Sequence, residues 1–214
     1  MAIEDLKIGD RLVTRFGGIL PLKWIGLQSY AAQFLGPNSE RWPVCIKAGA
    51  LGGAPPERDL YLSTGHALLI DGLLVPVDLL INGTSIARIS GLDRIDYFHL
   101  EFEAHDCVSA QGLWAESYAD TGNRMSFHNH LAFSVLYPDH APMLDAFCAP
   151  RPDMGDPKLE AIRTRPASMP RPPKPATRNL PWWWTAPAVP HTRPTGGHIG
   201  SVSTPRQSNS SCHR

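Results

Sequence analysis

Through its first 127 residues the chain is built of short runs rich in β-branched and aromatic residues, each cut off by Gly, Pro, Asn or Asp. That spacing leaves no room for a helical layer and points to an all-β domain. The predicted strands are 11–16, 21–26, 44–48, 60–62, 67–70, 73–77, 84–89 and 94–102. Gly17-Gly18 reads as a tight hairpin, and Asp71-Gly72 as a two-residue turn whose positive dihedrals glycine tolerates. Helical spacing occurs at 143–148 and 157–163, where a short helix either packs on the sheet or frays.

A net charge of zero conceals two different materials. Residues 1–150 carry 10 basic and 17 acidic side chains, whereas residues 151–214 carry 10 and 3. Twelve of the 21 prolines lie in that second part, and no acid follows Glu160. Such a segment buries too little apolar surface to fold, so 165–214 is expected to be a disordered tail. Its Pro/Arg/Ser/Thr bias also matches a GC-rich gene read out of frame. Trp182-Trp183-Trp184 beside Arg178 and Arg193 leaves open stacking on nucleic acid or insertion at a membrane interface, but no nucleic-acid partner is expected. Trp24, Trp42 and Trp114, each in an apolar run, are expected in the core. No run approaches a membrane span and no leader begins the chain. Cys45, Cys107, Cys148 and Cys212 show neither a disulfide framework nor metal-ligand spacing. A cytoplasmic chain is the default, with secretion open to a longer parent.

The chemistry concentrates in two stretches. In Leu62-Ser63-Thr64-Gly65-His66-Ala67-Leu68-Leu69 a hydroxyl stands three residues before a histidine, at the turn between two apolar strands. This suits holding and protonating a peptide nitrogen, since an amide leaves only if its nitrogen gains a proton. The plainer alternative is a histidine satisfying backbone groups of its turn. Tyr97-Phe98-His99-Leu100-Glu101 and His105 follow. In an unbulged strand residues six apart share a side, so His99 and His105 would face one cleft. Convergence of His66, His99 and His105 would give a three-histidine metal site, a minor alternative because no acidic base sits at metal-motif spacing.

These stretches resemble conserved blocks of Hint domains, the self-processing modules of inteins and hedgehog proteins, most closely the bacterial hedgehog/intein type. The resemblance runs from Ile3 to Phe127 and includes Glu4-Asp5-Leu6-Lys7-Ile8-Gly9-Asp10, Leu22-Lys23-Trp24-Ile25-Gly26, Ala48-Gly49-Ala50-Leu51-Gly52 and Gly112-Leu113-Trp114-Ala115-Glu116-Ser117-Tyr118. It implies a flattened β horseshoe over 1–127, an extension with short helices over 128–164, and the tail. It also implies autoprocessing, in which the preceding peptide bond is cleaved through a thioester. His66 would donate to the scissile amide, Ser63 would hold that amide strained, and His99 with His105 would wall the cleft. His99 stands where inteins place an aspartate.

Two departures qualify this. The resemblance implies a first strand led by a Cys or Ser nucleophile, and the chain opens past it at Met1-Ala2-Ile3. None of its cysteines can replace that residue, because an N-to-S acyl shift needs the thiol on the residue whose own amide is cleaved. At the site of intein asparagine cyclisation stands Glu116-Ser117, a hedgehog-like rather than a splicing pattern. His128-Asn129 supplies the dipeptide farther on, as an expected solvated loop. The expectation is an autoprocessing domain inactive as written, needing no cofactor. Its partners would be its own N-terminal flanking polypeptide and water or a small nucleophile as acyl acceptor. A non-catalytic binding or maturation module of a larger bacterial protein is the alternative.

Overall fold

The computed structural model describes residues 1–53, 55–142 and 147–167. Eleven strands are found among them: β1 Arg11–Val13, β2 Ile19–Pro21, β3 Trp24–Ala31, β4 Val44–Ile46, β5 Leu60–Leu62, β6 Ala67–Ile70, β7 Leu73–Pro76, β8 Ile86–Arg88, β9 Arg94–Glu101, β10 Cys107–Ala110 and β11 Leu113–Glu116. Two short helices follow, α1 His130–Leu136 and α2 Pro157–Arg163. The fold is all-β, and every strand pairing is antiparallel.

The longest pairing is the β3–β9 ribbon, in register from Trp24 opposite Glu101 to Ala31 opposite Arg94. The other sheets are β1–β2, β5–β4–β8 and β10–β11–β6–β7. In the last of these Ala115 of β11 lies opposite Leu68 of β6, which brings Glu116 toward His66 at the mouth of the β6 turn. Asp71 (φ 49°) and Gly72 (φ 81°) form the expected two-residue hairpin. Gln111 (φ 51°) and Gly112 (φ 81°) form a second one that the sequence reading passed over.

The Gly17-Gly18 hairpin is wider than expected. Five residues separate Val13 from Ile19, with Thr14 N–H donating to Gly18 O at 2.6 Å. The cause is Asp106, whose carboxylate accepts from the amides of Arg15, Phe16 and Gly17 at 2.7–3.0 Å and also from Cys107 N–H. A loop folded around a carboxylate must spread its amides, and two residues cannot supply three.

The main core lies between the β4 and β6 sheets, where Val44, Ile46, Leu60, Leu62, Leu68 and Val75 are buried. Leu159 and Ile162 of α2 complete it. Asp156 caps that helix by accepting from Lys158 N–H at 2.8 Å, ahead of Pro157 at its start, so its boundaries follow its sequence signals. Helix α1 is not capped in this way: Asn129 stands at its N-cap, but its side chain makes no cap hydrogen bond. Of its residues only Phe133 is buried, while Leu131, Val135 and Leu136 face outward, so its sequence shows no apolar stripe. Phe133 packs on Trp24 with Tyr118 and Phe127. Trp24 and Trp42 are buried as expected, but Trp114 is only half-buried, against Cys107 and Ala67. Residues 143–146 of the expected helix at 143–148, and Trp182 to Trp184, lie outside the described residues; Cys148 itself is not helical.

Beside Trp24 lies an ion network on the same face of the β3–β9 ribbon as His99, two residues before Glu101 on β9. Arg124 donates to both carboxylate oxygens of Glu101 at 2.6 and 3.0 Å and to Asp120 at 2.8 Å. Its guanidinium carbon sits 3.4 Å from the centre of the Phe133 ring and 4.7 Å from that of Trp24. Burial works against the Asp120 charge, but the Gly122 amide and Arg124 hold its carboxyl below the usual range. The network ties α1 to the end of β9.

Candidate functional site

Ser63 N-terminally opens a tight turn in which its carbonyl accepts from His66 N–H at 3.2 Å. The turn is held from outside as well, by Val77 N–H on the His66 carbonyl and by the Thr64 hydroxyl on the Glu40 carbonyl. Folding the turn so brings Ser63 Oγ within 2.7 Å of His66 Nδ1. The hydroxyl that the resemblance assigns to the scissile amide is thus engaged with the imidazole.

His99 arrives from the β9 side, opposite Gly26 of β3. Its ring stacks on that of His66, with centroids 4.3 Å apart and planes 24° from parallel. Phe127 meets His99 edge-on at 5.0 Å, and Tyr118 at 6.2 Å. Phe127 reaches that position because residue 26 is glycine: a Cβ there would stand 2.7 Å from the Phe127 ring and 2.8 Å from Trp24.

The two histidines line a cleft of about 280 Å³ that Ser63, Glu116, Ser117 and Tyr118 also border. Burial pushes the His66 imidazole down to about 4, partly offset by Glu116, and burial with the neighbouring His66 holds His99 well below its ordinary value. Both rings are therefore neutral near pH 7. A neutral imidazole in a dry wall is suited to take up a proton briefly and give it back.

His105 does not join them. The β9 strand ends at Glu101, so the same-side relation expected between residues 99 and 105 stops before it applies. His105 lies behind the cleft wall, its Nδ1 accepting from Cys148 N–H at 2.9 Å. Its Nε2 is 3.1 Å from Glu116 Oε1, close enough for ionic attraction but not aligned as a hydrogen bond. The three histidines do not converge, and among the described residues no group of three His, Cys, Asp or Glu could hold a metal ion. Asn129 also departs from its expected solvated loop. It accepts from Leu27 N–H at 2.9 Å and donates to Ile25 O at 2.8 Å, clamping the free edge of β3.

The sequence reading missed the far rim. Arg151 donates to Glu116 Oε1 at 2.6 Å, and Arg151 and Phe147 both border the cleft. They come from a segment beyond the recognisable blocks, and no spacing in the sequence linked them to residue 116. None of Cys45, Cys107 and Cys148 borders the cleft.

No helix among the described residues is long and apolar enough to cross a membrane. No curated protein and no solved structure matches the chain. The family model for the Hint domain does match, over residues 1–122, which contain Ser63, His66, His99, Glu116 and the turn that pairs the first two. The chain therefore belongs to the Hint domain family.

Proposed function

We propose that this Hint domain is the proton-transfer half of an autoprocessing reaction that cleaves a peptide bond in a polypeptide fused ahead of it. The observation that carries this reading is the 2.7 Å contact of Ser63 Oγ with His66 Nδ1 in the wall of a cleft. In the tautomer whose Nδ1–H donates to Ser63 Oγ, Nε2 is the nitrogen that exchanges protons. A thiol or hydroxyl entering the cleft adds to the scissile carbonyl and gives its proton to His66. The tetrahedral carbon then collapses, the C–N bond breaks, and the same proton passes to the departing nitrogen. Water or a small nucleophile afterwards releases the thioester.

Because His66 starts neutral, the cycle needs no prior protonation, and its depressed basicity makes the protonated ring a strong acid once formed. Ser63 acts on the ring and His99 keeps the ring plane fixed by stacking. The nucleophile in this reading belongs to the fused segment, since none of Cys45, Cys107 and Cys148 borders the cleft. Residues 1–214 alone are accordingly expected to be inactive.

The test is a fusion in which a reporter is followed by a short strand-and-turn segment beginning with Cys and then by this chain. Dithiothreitol should release the reporter as a discrete shorter species. A folded fusion with a reactive cysteine and no release would overturn the proposal.

A further inference from the structure

The rim segment that carries Phe147 and Arg151 also carries a half-buried cysteine, Cys148, whose sulfur lies 3.7 Å from that of fully buried Cys107 on β10. A disulfide needs the two sulfurs roughly 1.7 Å closer. Short polar contacts already hold the segment in place: Cys148 N–H on His105, Leu74 N–H on the Pro150 carbonyl, and Arg151 on Glu116. The neighbourhood favours one direction of reaction. The hydrogen bond between the two thiols, with His105 beside it, holds the Cys148 thiol well down against burial. The same bond, with burial, pushes Cys107 well up. Cys148 is thus the nucleophilic sulfur and also the reachable one.

We propose that Cys148 is a site of thiol oxidation resolved by Cys107, so that a small-molecule disulfide such as oxidised glutathione converts the pair into a covalent clasp that ties the rim segment to β10. The Cys148 thiolate attacks one sulfur of glutathione disulfide and expels a glutathione thiolate. Cys107 then attacks the Cys148 sulfur of the mixed disulfide, expels the second glutathione thiolate and gives up its proton to it. Two protein thiols are oxidised and one glutathione disulfide is reduced to two thiols. The clasp joins residues 41 positions apart and fixes the segment bearing Phe147 and Arg151 onto β10. It does not depend on whether the cleft cleaves a peptide bond.

The experiment uses the full chain with Cys212→Ser, a position outside the described residues, exposed to excess oxidised glutathione under native conditions. Intact mass should fall by two hydrogens, with no lasting adduct, and peptide mapping should find Cys107 joined to Cys148. Dithiothreitol should reverse the change, and the oxidised form should melt at a higher temperature. Cys107→Ser, or Cys107→Ala if the serine variant does not fold, should stop at a stable glutathione adduct on Cys148. Cys148→Ser should leave Cys107 unmodified. A lasting glutathione adduct on the chain with both cysteines, no reaction at all, or equally fast modification of Cys107 in Cys148→Ser would each overturn the proposal.

Discussion

The imidazoles of His66 and His99 stack with their centroids 4.3 Å apart, although they come from different sheets, one from the turn before β6 and one from β9. Two neutral rings in contact share a dry wall comfortably, whereas two imidazolium ions would repel there. Protonation must therefore be costly in the folded state.

A first prediction follows by linkage. Burial lowers the folded-state pKa of His66 to about 4, while the unfolded ring titrates near its ordinary value. Stability from this group is fully present above the unfolded value and is lost as pH falls below it, the loss levelling off under the folded value. By pH 5 His66 alone should remove about 2 kcal/mol, with His99 adding in the same direction. Urea denaturation at pH 7.5 and pH 5, compared between the parent and His66→Phe, isolates this loss from the opposing contribution of His105, whose pKa, against burial, contacts with Cys148 and Glu116 raise to about 9. His99→Phe keeps a ring in the stack and should reduce the pH sensitivity; an unchanged sensitivity would contradict the assignment.

Arg124 gives a second. Its guanidinium is bound to Glu101 and Asp120 and sits against Phe133 and Trp24, so no water replaces it. Arg124→Met should cost about 3–5 kcal/mol, because it leaves the buried Glu101 carboxylate without its counter-charge and takes the cation from beside Asp120. Thermal unfolding would read this as a large drop, and a change near zero would show the network to be dispensable.

Asp106 gives a third, confined to the β1–β2 loop. Asp106→Ala removes the acceptor shared by the amides of Arg15, Phe16 and Gly17. The expected cost is about 2–4 kcal/mol. Hydrogen exchange should quicken at those three amides before it does at Leu68 in the core; uniform loss of protection would contradict the local role.

The contrast between these elements shows what a sequence can disclose. The β6–β7 hairpin was legible because Asp71-Gly72 specifies its turn between two short apolar runs. Helix α2 was legible from the helical spacing of 157–163, and the Asp156 cap and Pro157 fix its start. Strands β10 and β11 are four residues each and join through Gln111, a residue type that does not announce a left-handed turn. Within the site, Ser63 and His66 are three residues apart and one turn joins them, so local spacing carried the relation. The His66–His99 stack depends on two sheets meeting, and the exclusion of His105 depends on where β9 stops. Neither is written in local spacing. Arg151 on Glu116 spans 35 positions and joins an irregular segment to a strand end, which no periodicity encodes.

The central claim, that His66 carries the proton between nucleophile and leaving nitrogen, is tested most directly by single-turnover release rates in the Cys-led reporter fusion. His66→Ala should slow thiol-induced release by about 100-fold or more, the usual contribution of a positioned acid–base group. Ser63→Ala should slow it less, since Ser63 holds the ring, and His99→Ala should fall between the two. Each variant should keep a cooperative melt and a first-residue cysteine reactive to iodoacetamide. Release by His66→Ala at the parent rate, in a fusion that meets both controls, would contradict the account.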